Sequence, residues 1–281
     1  MTTVLDIQRF KDEGRRFAVL TAYDFLSARI LDEAGIPILL VGDSLGMVML
    51  GHPTTLPVTL DDMLHHARAV ARGSRQALLV GDLPFMSYQV STEQAIASAG
   101  RFMQEAGMHA VKLEGGGPVI EITRRLAEIG IPVMGHLGLT PQSVHTMGGF
   151  KVQGKTEAQA ARIMSDAKAL EQAGAFSVVL EGMPSRLANT ITQTLRIPTI
   201  GIGAGPGTDG QVLVLHDMLG LTTGKAPKFV KRYANLAEDI ARAATAYSDD
   251  VRTGKFPGPE HEYSANGSAP AKDREEVRYG G

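Results

Sequence analysis

Residues 38–43 read ILLVGD and residues 77–82 read ALLVGD, two short apolar runs that each end on Gly-Asp. Such runs are short for helices and rich in aliphatic residues. That is how strands buried on both faces of a parallel sheet read. Six further runs share this character: FAVLTAY (17–23), HAVKLEG (109–115), IPVMGHLG (131–138), FSVVLEG (176–182), IPTIGIGAG (197–205) and VLVLHD (212–217, opening at Val212). Eight strand candidates separated by amphipathic segments predict an α/β fold, a single (β/α)8 TIM barrel. A doubly wound open sheet is the competing architecture. Its glycine fingerprint is incomplete here, because GIGAGPG (201–207) carries Pro206 where the third glycine belongs. The same glycines serve equally as a tight barrel loop or as a ligand-facing one.

The intervening segments carry helix boundaries. Ser91 with Gln94 and Thr59 with Asp62 have capping-box spacing, and Thr140 before Pro141 reads as N-cap then first helical residue. Gly35, Gly73, Gly107, Gly130 and Gly174 stand just past periodic stretches, where a left-handed residue ends a helix. Thr3 to Glu13 predicts a leading helix able to plug the closed end of the barrel. A long helical pattern, ANLAEDIARAATAYSDDV, lies within 225–253. The barrel is expected over residues 1–256. Residues 257–281 lack Leu, Ile and Met after Pro257 and read as a disordered tail.

The 281 residues are 43% hydrophobic, ample for one large core. The formal net charge of −2 and the lack of a dense basic stripe give no field that would gather nucleic acid or a membrane surface. Cysteine is absent, which excludes disulfides, thiolate metal sites and cysteine nucleophiles and suits a reducing cytoplasm. The N-terminus MTTVLDIQRFKDEGRR has no apolar core of a secretory signal, and no apolar run approaches the ~20 residues that span a bilayer.

Polar residues recur at one place, the ends of the strand runs. In a (β/α)8 barrel these ends build the active site. Asp43 closes the second run and Asp82 the third; Lys112 and Glu114 lie at the end of the fourth, His136 of the fifth and Glu181 of the sixth. One such Asp is as readily a helix cap. Capping does not explain four acidic side chains and a lysine on successive strands. Carboxylates without thiols describe a hard-cation site of the Mg²⁺ type. His136 is either a hydrogen-bonded core residue or a ligand contact. His65 and His66 read as helix-surface residues, and Met47 and Met49 as packing.

The stretches TAYDFLSARILDEAGI (21–36), LLVGDSLGMVMLGH (39–52), GDLPFMSY (81–88), VKLEGG (111–116), PVMGHLGLTPQS (132–143), VLEGMP (179–184) and TIGIGAG (199–205) resemble, in order, the ketopantoate hydroxymethyltransferase family. The likeness covers roughly residues 3 to 255 and leaves out the tail. It implies a barrel similar to the phosphoenolpyruvate mutase and isocitrate lyase group. It implies transfer of a hydroxymethyl group from 5,10-methylenetetrahydrofolate to 3-methyl-2-oxobutanoate, giving 2-dehydropantoate in pantothenate synthesis. By the same resemblance Asp43 and Asp82 bind Mg²⁺, with Glu114 joining directly or through water. Asp43, Ser44, Asp82 and Lys112 contact the keto acid, and Glu181 is the proton acceptor. A homo-oligomer, commonly a decamer, is also implied.

Two other readings share the acidic barrel mouth. One is a Mg²⁺-dependent lyase or mutase of the isocitrate lyase type, weakened because those lyases use a cysteine acid. The other is a keto-acid-binding barrel without catalysis, which would not exchange the substrate's C3 proton.

Overall fold

The computed structural model describes residues 1–222, 224 and 226–263. Residues 264–281, most of the expected tail, lie outside the described residues. The chain divides into two compact units, Met1–Ala234 and Asn235–Gly281.

The first unit is a closed barrel of eight parallel strands in sequence order, each paired with its neighbours and β8 with β1. The strands are β1 (Phe17–Thr21), β2 (Ile38–Val41), β3 (Leu78–Asp82), β4 (Ala110–Glu114), β5 (Val133–Gly138), β6 (Ser177–Glu181), β7 (Thr199–Ile202) and β8 (Gly210–Leu213). Helices α1 (Val4–Asp12), α2 (Phe25–Glu33), α3 (Leu45–Val48), α4 (Leu60–Gly73), α5 (Thr92–Ala106), α6 (Pro118–Glu128), α7 (Val144–Met147), α8 (Glu157–Gln172), α9 (Ser185–Thr194) and α10 (Leu215–Met218) surround or punctuate it. The second unit holds α11 (Leu236–Arg252) and a 3₁₀ turn, Pro259–His261. No helix among the described residues is long and apolar enough to cross a membrane.

All eight expected strands form. The eighth lies earlier than its apolar run suggests. β1 pairs Phe17 with Gly210, and a Cβ at 210 would collide with the Phe17 ring, so closure places the strand there. His216 and Asp217 consequently stand on α10.

Strand side chains alternate faces. One parity fills the barrel: Val19, Ile38, Leu40, Leu78, Val80, Ala110, Met134, Val179, Ile200 and Val212 form one buried cluster. The other parity, including Leu39, Val41, Leu79, Val111, Leu113 and Val133, packs on the helices. Ile7 of α1 is fully buried in the interior cluster, so α1 does plug the N-terminal end. Burying a side chain of that size contributes ~1.5–3 kcal/mol.

Thr3 and Thr59 make full capping boxes with Asp6 and Asp62. Ser91 accepts from the Gln94 amide, but the Gln94 side chain donates to Met86 instead of returning the bond. Pro141 opens a 3₁₀ turn (Pro141–Ser143) as expected, without a side-chain cap from Thr140. Gly35, Gly107, Gly130 and Gly174 are left-handed. Gly73 is not among the left-handed glycines. It is there because a Cβ would overlap the carbonyl oxygen of Phe25 where α4 crosses α2.

Candidate active site

The same parity that fills the barrel places the polar set. Counting by twos from Leu78, Ala110, Met134 and Val179 reaches Asp82, Lys112 and Glu114, His136, and Glu181. Each follows an inward apolar residue and therefore points to the lumen at the C-terminal mouth. Register completes the arrangement: Asp82 lies beside Lys112 and Glu114 beside His136 across adjacent strands. Asp43 and Ser44 sit in the turn after β2. These seven residues line one cavity of about 810 Å³.

The polar groups form a connected set. Lys112 Nζ lies 2.5 Å from Asp82 Oδ1, and both side chains are buried. Lys112 Nζ also stands 3.4 Å from His136 Nδ1. His136 Nδ1 is 3.5 Å from Glu114 Oε1, and its Nε2 is 3.2 Å from Glu181 Oε2. Asp82 Oδ2 accepts from the Asp43 amide at 3.1 Å. Ser44 Oγ and Tyr23 Oη are 2.9 Å apart.

The charges follow from these contacts. Burial works against the Lys112 ammonium, but Asp82, Glu114 and Asp43 outweigh it and hold the group protonated. Burial likewise opposes a charged His136. The Glu114 and Glu181 carboxylates beside it prevail over burial and over the nearby Lys112, pushing the imidazole up to about 9. Burial also opposes an ionised Glu114, and His136, Lys112 and the Gln142 amide bring its carboxyl below the usual range. Asp43 goes the other way. Burial, then Asp82 and Glu114, hold its carboxyl well above the ordinary value. No cation pairs with Asp43 among the described residues.

Asp43 and Asp82 do not serve as helix caps. Ser44 precedes α3 without a side-chain cap, and Asp82 bonds the Asp43 amide. A divalent cation fits this oxygen-only donor set, because a buried carboxylate without a cationic partner is what such an ion would relieve. The fit is with Asp43 and Asp82. Among the described residues no group of three His, Cys, Asp or Glu side chains is placed to hold a metal ion. Glu114 has both oxygens engaged, with Gln142 N at 2.9 Å and with His136.

Several contributors escape the sequence reading. Gln142 and Tyr88 are buried and join the acids from behind. Gln142 does stand within the quoted run PVMGHLGLTPQS, but in a loop, where period-two counting gives no direction. Met47 is 40% exposed and lines the cavity, so it is not core packing. His65 is exposed as expected, while His66 is half-buried with Nδ1 2.6 Å from the Tyr23 carbonyl oxygen. In GIGAGPG, Gly203 and Gly205 are left-handed and face the cavity.

The Ketopantoate hydroxymethyltransferase family model matches residues 1–259. The chain is 60% identical to 3-methyl-2-oxobutanoate hydroxymethyltransferase of Syntrophus aciditrophicus, over 92% of this chain and 94% of that one. It is 58% identical to the enzyme of that name from Syntrophotalea carbinolica, over 93% and 98%. Among solved structures, 2,3-dimethylmalate lyase, a PEP mutase/isocitrate lyase superfamily member, superposes with a TM-score of 0.58 at 20% identity, over 94% of this chain and 89% of that one. That likeness shows the shared barrel fold. An acid-lined barrel mouth and a sequence match over most of its length make this chain a member of the ketopantoate hydroxymethyltransferase family, enzymes that transfer a hydroxymethyl group.

Proposed function

We propose that the cavity binds 3-methyl-2-oxobutanoate and adds to its C3 a one-carbon unit taken from 5,10-methylenetetrahydrofolate, giving 2-dehydropantoate. The observation that carries this reading is the position of Glu181. Its side chain is 15% exposed against 3% for Glu114 and His136, so it is the most open of these three groups in the cavity.

Glu181 removes the C3 proton of the keto acid. The His136 imidazolium behind it orients the carboxylate. Ser44 donates to the keto acid's carboxylate, and the Lys112 ammonium offsets the negative charge that develops on the keto oxygen. Mg²⁺, held by Asp43 and Asp82 with Glu114 acting through water, would supply Lewis acidity toward the keto-acid oxygens. A new C3–CH₂ bond forms, both C–N bonds of the bridging methylene break, water supplies the hydroxyl, and the C3 proton and one proton of the water end on the two folate nitrogens. The folate has an apolar wall available in Met47, Phe150, Val152, Met183 and Phe229. A cytoplasmic homo-oligomer is the setting this reading assumes, and sedimentation velocity tests the assembly.

The deciding experiment incubates the protein with 3-methyl-2-oxobutanoate, methylenetetrahydrofolate and Mg²⁺ and identifies the product by mass spectrometry. Folate-dependent 2-dehydropantoate is the expected result. Its absence, with the keto acid still bound, would overturn the reading.

A further inference from the structure

Gln142 sits in the first turn after β5, is buried, and uses every hydrogen-bonding group of its side chain. Its Nε2 donates to Asp43 Oδ2 and to the Leu83 carbonyl, each at 3.0 Å. Its Oε1 accepts from Tyr88 Oη at 2.8 Å and from Gln89 Nε2 at 3.0 Å. Its backbone N–H donates to Glu114 Oε2 at 2.9 Å. A carboxamide has two donors and two lone pairs, and all four are used. The amide cannot flip, because its oxygen would then face both the Asp43 carboxylate and the Leu83 carbonyl. Tyr88 secures it further, as its hydroxyl contacts the Glu114 backbone at 3.1 and 3.2 Å.

We propose that Gln142 is a positioning residue for the hydroxymethyl transfer: its fixed carboxamide ties one oxygen of Asp43 and thereby aims the other into the cavity. This rests on the role given to Asp43 above. Two features favour it over simple structural anchoring. Gln142 touches two of the cavity's acids, on the ends of β2 and β4, while the loop after β3 holds its other side. It is also neutral, so it orients Asp43 without cancelling the charge, whereas Lys112 neutralises Asp82. Partners that orient ligating carboxylates typically govern affinity or activity by 10–100-fold.

The test uses full-length Gln142→Met and Gln142→Glu. Met keeps the volume and loses the hydrogen bonds. Glu keeps the shape and the acceptor for Tyr88 and Gln89, but replaces the donor facing Asp43 with an oxygen. Three quantities are read: melting temperature, Mn²⁺ affinity by electron paramagnetic resonance with the keto acid present, and kcat/KM for transfer. Gln142→Met is expected to melt within ~5 °C of wild type while losing about 10–100-fold in Mn²⁺ affinity and in kcat/KM. Gln142→Glu is expected to lose kcat/KM even if its added charge holds or tightens Mn²⁺. If either variant folds and keeps wild-type kcat/KM, the proposal is overturned. Activity lost only in proportion to unfolded protein would overturn it as well. Should wild type bind no Mn²⁺ at all, the metal assignment fails, and the kcat/KM of the folded variants alone decides the role of Gln142.

Discussion

His136 Nε2 lies 3.2 Å from Glu181 Oε2, so the end of β5 presents a proton-bearing ring to the carboxylate at the end of β6. His136 stays charged up to about 9, so Glu181 faces a cation at neutral pH. Glu181→Gln keeps the shape and removes the base. Exchange of the C3 proton of 3-methyl-2-oxobutanoate into deuterated water should fall ~10²–10⁴-fold, with keto-acid binding intact. Proton NMR follows the exchange without folate. Near-normal exchange would move the base role elsewhere, with His136 the next residue to test.

The buried Lys112–Asp82 pair changes what truncation at either residue does. Asp82→Ala, taken alone, looks like a clean loss of a ligand. It also strands the Lys112 ammonium, whose side chain is 4% exposed. Each single Ala variant should lose about 3–5 kcal/mol of stability as well as activity, the usual result of leaving a buried charge unpaired. Replacing both residues with apolar side chains of similar size, as in Lys112→Met with Asp82→Leu, should recover most of the stability and none of the turnover. Urea unfolding beside a transfer assay measures both. Single variants as stable as wild type would show that the pair is not held as described.

Gly138 ends β5 at φ +96°, where a Cβ would overlap the Glu181 carbonyl oxygen. That oxygen accepts the Leu139 N–H at 2.8 Å. Gly138→Ala must therefore strain its own backbone and push Glu181 aside. A destabilisation of at least ~1–3 kcal/mol is expected, lowering the melting temperature by several degrees, together with reduced C3 exchange. Calorimetry and the same NMR assay check it. An unchanged melting temperature would contradict this account of the contact between the ends of β5 and β6.

Away from the site, Asp32 at the end of α2 accepts from Ser74 Oγ at 2.6 Å and from the amides of Arg75, Gln76 and Ala77 at 3.0, 2.9 and 2.8 Å. Burial raises its carboxyl, but these four donors outweigh burial and leave it below the usual range. A depressed carboxyl stabilises the fold fully above the unfolded value of ~3.9 and ceases to do so as pH falls through the folded value. Asp32→Asn should cost about 1–3 kcal/mol at pH 7. The gap to wild type should narrow between pH 5 and pH 3. Urea midpoints across that range provide the check, and a gap that widens on acidification would reverse the assignment.

Much of this molecule is local in origin and could be read from the chain. Runs such as ILLVG and SVVL are short, aliphatic and bounded by turns, so eight strands were visible. Thr59 and Ser91 announced their helices because a cap contacts residues only three positions away. The identities of Asp43, Asp82, Lys112, Glu114, His136 and Glu181 stood out because each interrupts or ends an apolar run. Closure of the barrel decided the rest. It moved β8 back to Gly210 to meet Phe17, and it explained Gly73 by a helix crossing rather than a helix end. It also paired Lys112 with Asp82, set His136 between two glutamates, and recruited Gln142 to an aspartate 99 positions away. Propensities and caps act over a few residues, and the sequence displays them directly. Register and side-chain orientation at the mouth depend on strands that meet only when all eight have closed, and those distances exist only in the folded chain.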